Sequence, residues 1–300
     1  MCIIAAKKFP GIGWIGVKNR DRNYVPTIRI VQSNRKGVQR LFIDDDDTRY
    51  TEGLNEYGVC ILSASLSVKS DEKEQEKTGP KDRPDDYMSP DGKKIRDALY
   101  ERTPRKAIDS LIHSELTGCT LVFNKTQCFL LEAGRVIEYT QNGDKKKGPL
   151  EYKFIEVSDS AIARANHGIL LPKYGYEQDP DTADKKRARD SSEFRYKVAV
   201  EEIKKTRDPM KMLDALSVKR TKSGDVAYMN PIRTGDPKKK EMITTGQLLL
   251  VPSERTMHYR PVHSDVEFSY TKLNKPESKT FFEIVSNKRL LGFKEYNQKS

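Results

Sequence analysis

The sequence predicts an α+β protein, because strand signals fill both ends of the chain and helical patterns separate them. Three observations carry this. Short apolar runs broken by turn residues occupy the first 66 positions, apolar residues recur at helical spacing from Ile95 to Ile112, and strand patterns return from Gly118 onward. A length of 300 residues is enough to bury a sizeable core, although 33% of residues are charged against 36% hydrophobic.

The opening Cys2–Lys7 reads as a strand, with Gly13–Lys18 as its hairpin partner across Phe9-Pro10-Gly11. Arg29–Gln32 and Gln39–Ile43 alternate polar and apolar residues around Ser33–Gly37, a second hairpin signal, and Asp44–Asp47 reads as an acidic turn. Gly58–Leu66 is almost wholly apolar or small, as in a central strand buried on both faces. Lys69–Met88 is charged and Pro-containing, hence an exposed loop. A helical pattern interrupted around Pro104 follows.

Thr120–Phe123, Gln127–Glu132 and Arg135–Tyr139 predict a meander, with Asn124-Lys125 and Ala133-Gly134 as turns and Asp144–Gly148 as a basic turn. Tyr152–Val157 is a further strand. Ser191–Thr206 and Pro209–Leu216 read as charged helices, the first with Phe194, Val198 and Ile203 in an apolar stripe. Thr244–Val251, Thr256–Tyr259 and Thr280–Ile284 close the fold as strands. The organisation expected is one domain over 2–300 with charged insertions near 69–94 and 179–222.

No window approaches the ~18 apolar residues of a membrane-spanning helix, and the N-terminus lacks a signal peptide's apolar run, so a cytoplasmic protein is expected. Cysteines 2, 60, 119 and 128 form no CxxC pair, which argues against zinc and a disulfide framework. Neither cofactor nor metal is expected. Cys60 lies in the apolar central strand, Cys119 and Cys128 flank a hairpin, and all three read as buried thiols.

Cys2 is different. Cysteine is small enough for an aminopeptidase to remove Met1, and a chain starting at Cys2 would carry a thiol and a free α-amine on one residue. Their ordinary pKa values, about 8.5 and about 7.7 to 8.0, let modest neighbouring charge poise either group near neutrality. Cysteine at position 2 is by itself more often incidental. However, Lys18-Asn19-Arg20-Asp21-Arg22 ends the strand predicted to pair with Cys2. Hairpin geometry would bring Asp21 to the amine and Lys18 or Arg20 to the thiol, the competing reading being a solvated turn.

In Tyr50–Val59, Asn55 could donate to a developing oxyanion, and Asn166 in Asn166-His167-Gly168 offers a second such amide. An ordinary turn is the alternative for Tyr50–Val59, and His167 reads as a structural histidine.

These four elements, in this order, resemble the cysteine N-terminal nucleophile hydrolases, the superfamily of choloylglycine hydrolases, penicillin V acylases and acyl-coenzyme A:isopenicillin N acyltransferases. Cys2, Asn19-Arg20-Asp21, Gly53–Gly58 and Asn166-His167-Gly168 carry the match. Met1-Cys2-Ile3 with Asn19-Arg20-Asp21-Arg22 is also similar to the NRDE family, whose fourth letter would be Glu where this chain has Arg22. The resemblance implies a four-layer αββα sandwich of two antiparallel sheets covered by helices. It implies hydrolysis of a linear, non-peptide C–N bond through a thioester on Cys2, with Asp21 orienting the amine and Asn166, with Asn55, holding the oxyanion. An arginine near the thiol is also implied, a place taken by Lys18 or Arg20. A later arginine corresponds to Arg195, with Arg187 and Arg189 as competitors.

The substrate class is then a small-molecule or peptide-like amide. An acyltransferase would use the same residues, and a catalytically silent binding protein would keep the fold alone. The formal charge of +11 admits nucleic acid as another partner, since 185–222 holds 13 Lys or Arg against 6 Asp or Glu. Aromatic interleaving is sparse there, so a solvated helical face is preferred. The sequence leaves oligomerisation open.

Overall fold

The computed structural model of the chain describes residues 2–24, 26, 28–45, 48–66, 90–135, 137–139, 145–175, 182–218, 220, 230–235, 241–261, 268–270, 280–284 and 295–297. Along the chain run β1 (Ile3–Phe9), β2 (Gly13–Arg22), β3 (Ile28–Arg35), β4 (Val38–Asp45), β5 (Thr51–Asn55) and β6 (Cys60–Ala64). Helices α1 (Pro90–Ala98) and α2 (Pro104–His113) come next. Then follow β7 (Gly118–Phe123), β8 (Cys128–Gly134), β9 (Ile137–Tyr139), β10 (Lys145–Lys147), β11 (Glu151–Glu156) and β12 (Ala161–Arg164). Helix α3 (Ala183–Lys205), a 3-10 turn at Pro209–Lys211 and the short α4 (Met212–Ala215) precede β13 (Ile243–Val251), β14 (Thr256–Pro261), β15 (Phe268–Tyr270), β16 (Thr280–Ile284) and β17 (Glu295–Asn297).

Two large antiparallel sheets result, one ordered β12-β1-β2-β13-β14-β15 and the other β11-β8-β7-β6-β5-β4-β3-β16-β17. Side-chain alternation sorts the core into three bands. Ile4, Ala6, Trp14, Leu41, Leu54, Leu62, Phe123, Leu130, Leu248 and Leu250 pack between the sheets. Ile3, Ala5, Ile15, Val17 and Leu249 point the other way, onto Ala199 and Ile203 of α3 and Met212 and Leu213 of α4. Val31, Phe42, Ile61, Val122 and Leu131 likewise meet Ile95, Leu99, Ala107, Ile108 and Leu111 of the α1–α2 layer. The order helices, sheet, sheet, helices is the four-layer αββα sandwich.

Close packing fixes some positions as glycine. A Cβ on Gly16 would lie 2.2 Å from the Phe123 ring across the sandwich. A Cβ on Gly246, opposite Arg20, would lie 2.2 Å from the Tyr259 hydroxyl.

Several sequence boundaries shift for identifiable reasons. Pro104 starts α2 rather than merely interrupting a helix: it sits in the first turn, where its missing N–H costs nothing, and the Thr103 hydroxyl caps Lys106 N at 3.3 Å. Asp44 and Asp45 belong to β4 instead of a turn, with Asp45 held by the Arg20 and Arg22 guanidiniums. Ala133-Gly134 extends β8, pairing with Gly118 and Tyr152 or Glu151, where Gly134 admits the Tyr174 ring. Lys145–Lys147 forms a strand against β9 rather than a turn. The segment expected as a loop over Lys69–Met88 lies outside the described residues. All four cysteines are free and buried.

Candidate active site

The site grows out of strand β2. Its register on β1 sets Ile3 opposite Asn19 and Ile4 opposite Lys18. Paired residues share a face, so Lys18, Arg20 and Arg22 point between the sheets with Ile4 and Cys2, while Asn19 and Asp21 point toward the helices with Ile3. Every residue from Lys18 to Asp21 is fully buried.

On the inter-sheet face, Lys18 donates to Glu52 Oε1 and to the Ser63 carbonyl, and Arg20 donates to Glu52 Oε2 and, at 3.2 Å, to Asp45 Oδ2. Arg22 reaches Asp45 Oδ2 through Nε at 3.2 Å and places Nη1 3.7 Å from Cys2 Sγ. Tyr50 lies under the Lys18 ammonium, 5.2 Å from its ring centroid. Burial alone would push both carboxyls up, but Arg20 and Lys18 hold Glu52 below the usual range, and Arg22 and Arg20 do the same for Asp45.

Three cations therefore face two carboxylates and one thiol. Burial raises the Cys2 pKa, yet the charges of Lys18, the N-terminal ammonium and Arg22 outweigh it and bring the thiol down to about 7. Burial pushes Cys60 far up with no charge to offset it, pushes Cys119 far up where Glu132 adds to the rise and Arg164 does not overcome it, and raises Cys128 as well.

On the helix-facing side, Asp21 Oδ1 accepts from the Thr244 hydroxyl at 2.8 Å and Oδ2 from Arg233 Nε at 3.2 Å, with Arg195 Nη1 3.6 Å away. A register shift in β13 between Thr244 and Gly246 brings Thr244 opposite Asp21. Asn19 is held by Gln247, whose Nε2 donates to its Oδ1 at 2.9 Å.

Asn166 comes from the segment leaving β12, the strand on the other side of β1. Ile4 pairs with Arg164, so the continuing chain runs beside the start of β1. Arg195 of α3 donates to Asn166 Oδ1 at 3.1 Å, which fixes the amide, and Nδ2 donates to the Ser65 carbonyl at 2.6 Å. Ser192, one turn before Arg195, accepts from Asn166 N at 2.9 Å and lies 2.9 Å from His167 Nδ1. Burial lowers the His167 pKa to about 4, so the ring is neutral and Nδ1 can accept the Ser192 hydroxyl proton.

Of the residues expected from sequence, Cys2, Lys18, Arg20, Asp21, Asn166 and Arg195 converge on the start of β1. Among the three candidate arginines, Arg195 is buried and reaches both Asp21 and Asn166, whereas Arg187 is exposed and Arg189 pairs with Glu193 at 2.8 Å. Asn55 is engaged elsewhere. Its Nδ2 donates to the Leu99 and Glu101 carbonyls, and its Oδ1 accepts from Tyr57 N and Val59 N, so it ties the β5–β6 turn to the end of α1 and has no N–H left for an oxyanion.

Sequence reasoning named no role for Arg22, Glu52, Asp45, Arg233 or Thr244. Arg22 had a signal: period-two alternation from Lys18 puts it on the thiol's face. The carboxylates that match these cations come from distant strands, where spacing carries no trace of them.

No protein-family model matches the chain, and no curated protein does. Solved structures are similar over nearly its whole length. Penicillin V acylase from Agrobacterium tumefaciens aligns over 94% of this chain and 90% of its own, with 11% identity and a TM-score of 0.47. A variant of conjugated bile acid hydrolase from Clostridium perfringens aligns over 100% of this chain and 97% of its own, with 12% identity and a TM-score of 0.45. A second variant of that hydrolase covers 99% and 97%, at 11% identity and a TM-score of 0.47. The four layers observed here, with Cys2 opening an interior strand, are those expected of an N-terminal nucleophile hydrolase fold.

Proposed function

We propose that the protein is an amidohydrolase of linear, non-peptide C–N bonds that uses Cys2, freed by removal of Met1, as its nucleophile. The observation that carries this is the contrast among four buried thiols: Cys2, with Arg22 Nη1 3.7 Å from its sulfur, is the one whose neighbouring cations outweigh burial and bring its pKa near 7, and the other three stay pushed up. At neutral pH roughly half of Cys2 would then be thiolate, the reactive form.

In this reading Cys2 Sγ attacks the amide carbonyl carbon and the C=O electron pair moves onto oxygen. Asn166 Nδ2, one of whose hydrogens is on the Ser65 carbonyl, offers the other to that oxyanion. The Cys2 α-amine, as ammonium, gives its proton to the leaving nitrogen, and the C–N bond breaks to leave a thioester. Water then attacks the thioester while the amine takes up its proton, releasing the acid and the thiolate. Asp21, held by Thr244 and Arg233 on the helix-facing side, supplies the fixed negative charge that orients the ammonium.

The test is intact-mass spectrometry with peptide mapping after brief, limiting iodoacetamide treatment at neutral pH, followed by p-nitrophenyl butyrate as an acylating probe. Loss of Met1, labelling concentrated on Cys2 and a butyryl adduct on that residue are expected. Retained Met1, or a Cys2 no more reactive than Cys60, Cys119 and Cys128, would overturn the reading.

A further inference from the structure

Besides Glu52 and Asp45, another buried carboxylate faces the space between the sheets. Glu132 lies on β8, where Cys128 and Leu130 point into the inter-sheet core and Phe129, Leu131 and Ala133 point to the α1–α2 layer. Alternation puts Glu132 among the inward-facing residues, and it is fully buried. A carboxylate there is costly unless fully bonded.

Its partners come from β12 of the opposite sheet and from the segment that leaves it. Oε1 accepts from Arg164 Nε at 2.9 Å, at the end of β12. Oε2 accepts three consecutive backbone N–H groups, Ile169 at 2.9 Å, Leu170 at 2.7 Å and Leu171 at 3.1 Å. The chain after Asn166 is thus wrapped around one oxygen, as backbone nests wrap an anion. That wrapping is tight: a Cβ on Gly168 would lie 2.1 Å from the Leu171 carbonyl oxygen, and one on Gly175, at φ +92°, 2.7 Å from that of Asn166. Arg164 and Ile169 flank Asn166 by two and three residues, so Glu132 pins both sides of it. Ser192 and Arg195 bind Asn166 itself from the helix layer.

We infer that Glu132 is a positioning residue for the oxyanion donor: it anchors the 164–171 segment from the far sheet so that Asn166 Nδ2 is held at the carbonyl oxygen during acyl transfer. The inference rests on the acyl-transfer reading above. All four donors meeting the carboxylate are N–H groups, so a glutamine must turn its NH₂ toward at least one of them, and the anchor loosens. Displacing a group near the chemistry by about 1 Å can cost roughly a hundredfold in rate.

The experiment compares the wild type with E132Q, E132D, N166A and the double variant E132Q/N166A. One readout is the p-nitrophenolate burst from p-nitrophenyl butyrate, which needs the oxyanion donor. The other is the rate of Cys2 alkylation by iodoacetamide, which does not. E132Q should slow the burst roughly 10- to 100-fold, E132D less, and both should keep the alkylation rate within about twofold. The double variant should be no slower than N166A, because Glu132 acts through Asn166. An unchanged burst in E132Q, a double variant slowed by the product of the single effects, or burst and alkylation falling together would overturn the assignment. Should E132Q not fold, E132D replaces it in the cycle, and backbone hydrogen exchange at Ile169–Leu171 in the wild type decides: protected amides are expected, and amides exchanging at the free-peptide rate overturn it. A wild type that alkylates at Cys2 yet shows no burst removes the acyl-transfer reading alone. The side-chain amide resonances of Asn166 then test the anchor, which stands if E132D shifts them and falls if it does not.

Discussion

The two faces of β2 use the same kinds of side chain for different ends. On the inter-sheet face, Lys18, Arg20 and Arg22 meet Glu52 and Asp45 around a thiol that titrates near neutrality. On the helix-facing side, one carboxylate, Asp21, sits among Thr244, Arg233 and Arg195. The first is an ionic cluster whose charge depends on Cys2, and the second is a hydrogen-bonded frame around a fixed charge. A strand alternating every residue lets adjacent positions serve both without sharing partners.

The comparison breaks most severely at Glu52. Its carboxylate bridges Lys18 and Arg20, so Glu52→Gln would leave two buried cations short of a partner, at a cost of about 3 to 5 kcal/mol. Urea denaturation of the two proteins at pH 7 measures this. Acid should narrow the gap. Glu52's folded pKa is held below its unfolded value, so its contribution is present above the unfolded pKa of about 4.3 and lost as pH falls through the folded one. A stability difference constant from pH 7 down to pH 2 would show that Glu52 is not the bridging anion.

The helix-facing frame should fail differently. Thr244 Oγ1 donates to Asp21 Oδ1 and accepts Arg233 N, both at 2.8 Å. Thr244→Val keeps the shape and removes both bonds, costing about 1 to 3 kcal/mol because a buried N–H is orphaned. The midpoint for Cys2 alkylation should stay near pH 7, since no thiol-face charge moves. A midpoint displaced by a full unit would mean that the two faces are coupled.

How much of this could be read from the sequence depends on how local the cause is. The hairpin of β1 and β2 and the buried β6 were legible, because period-two patterns and turn residues sit within each segment. Arg195 was legible in principle by phase: it falls on the stripe of α3 that buries Val198, Ala199 and Ile203, where a lone arginine needs a buried partner. The two asparagines were not separable. Asn55 and Asn166 lie at or just past strand ends and both suit an oxyanion, and only partners tens of residues away show one spent on a turn and the other fixed by Arg195. Glu52, Asp45 and Glu132 were likewise invisible, since a carboxylate in a strand reads as solvent-facing until the facing sheet is in place.

Arg22 offers the finest separation of the faces. It stands on the thiol side, keeps its side chain partly exposed, and donates from Nη1 to the Asp21 carbonyl at 2.9 Å as well as approaching Cys2 Sγ. Arg22→Met would remove one of the cations that depress the thiol and leave Lys18 in place, so the alkylation midpoint should rise from about 7 part of the way toward the 8.5 of a free cysteine. At pH 7 that would slow alkylation roughly three- to tenfold, with the deficit closing as pH rises and the thiolate fills in both proteins. Lys18→Met should raise the midpoint further, because Lys18 exerts the larger pull on the thiol. If Arg22→Met slowed alkylation by the same factor at pH 6 and pH 9, Arg22 would be shaping access to Cys2 rather than its ionisation. The charge balance of the inter-sheet face would then rest on Lys18 and Arg20.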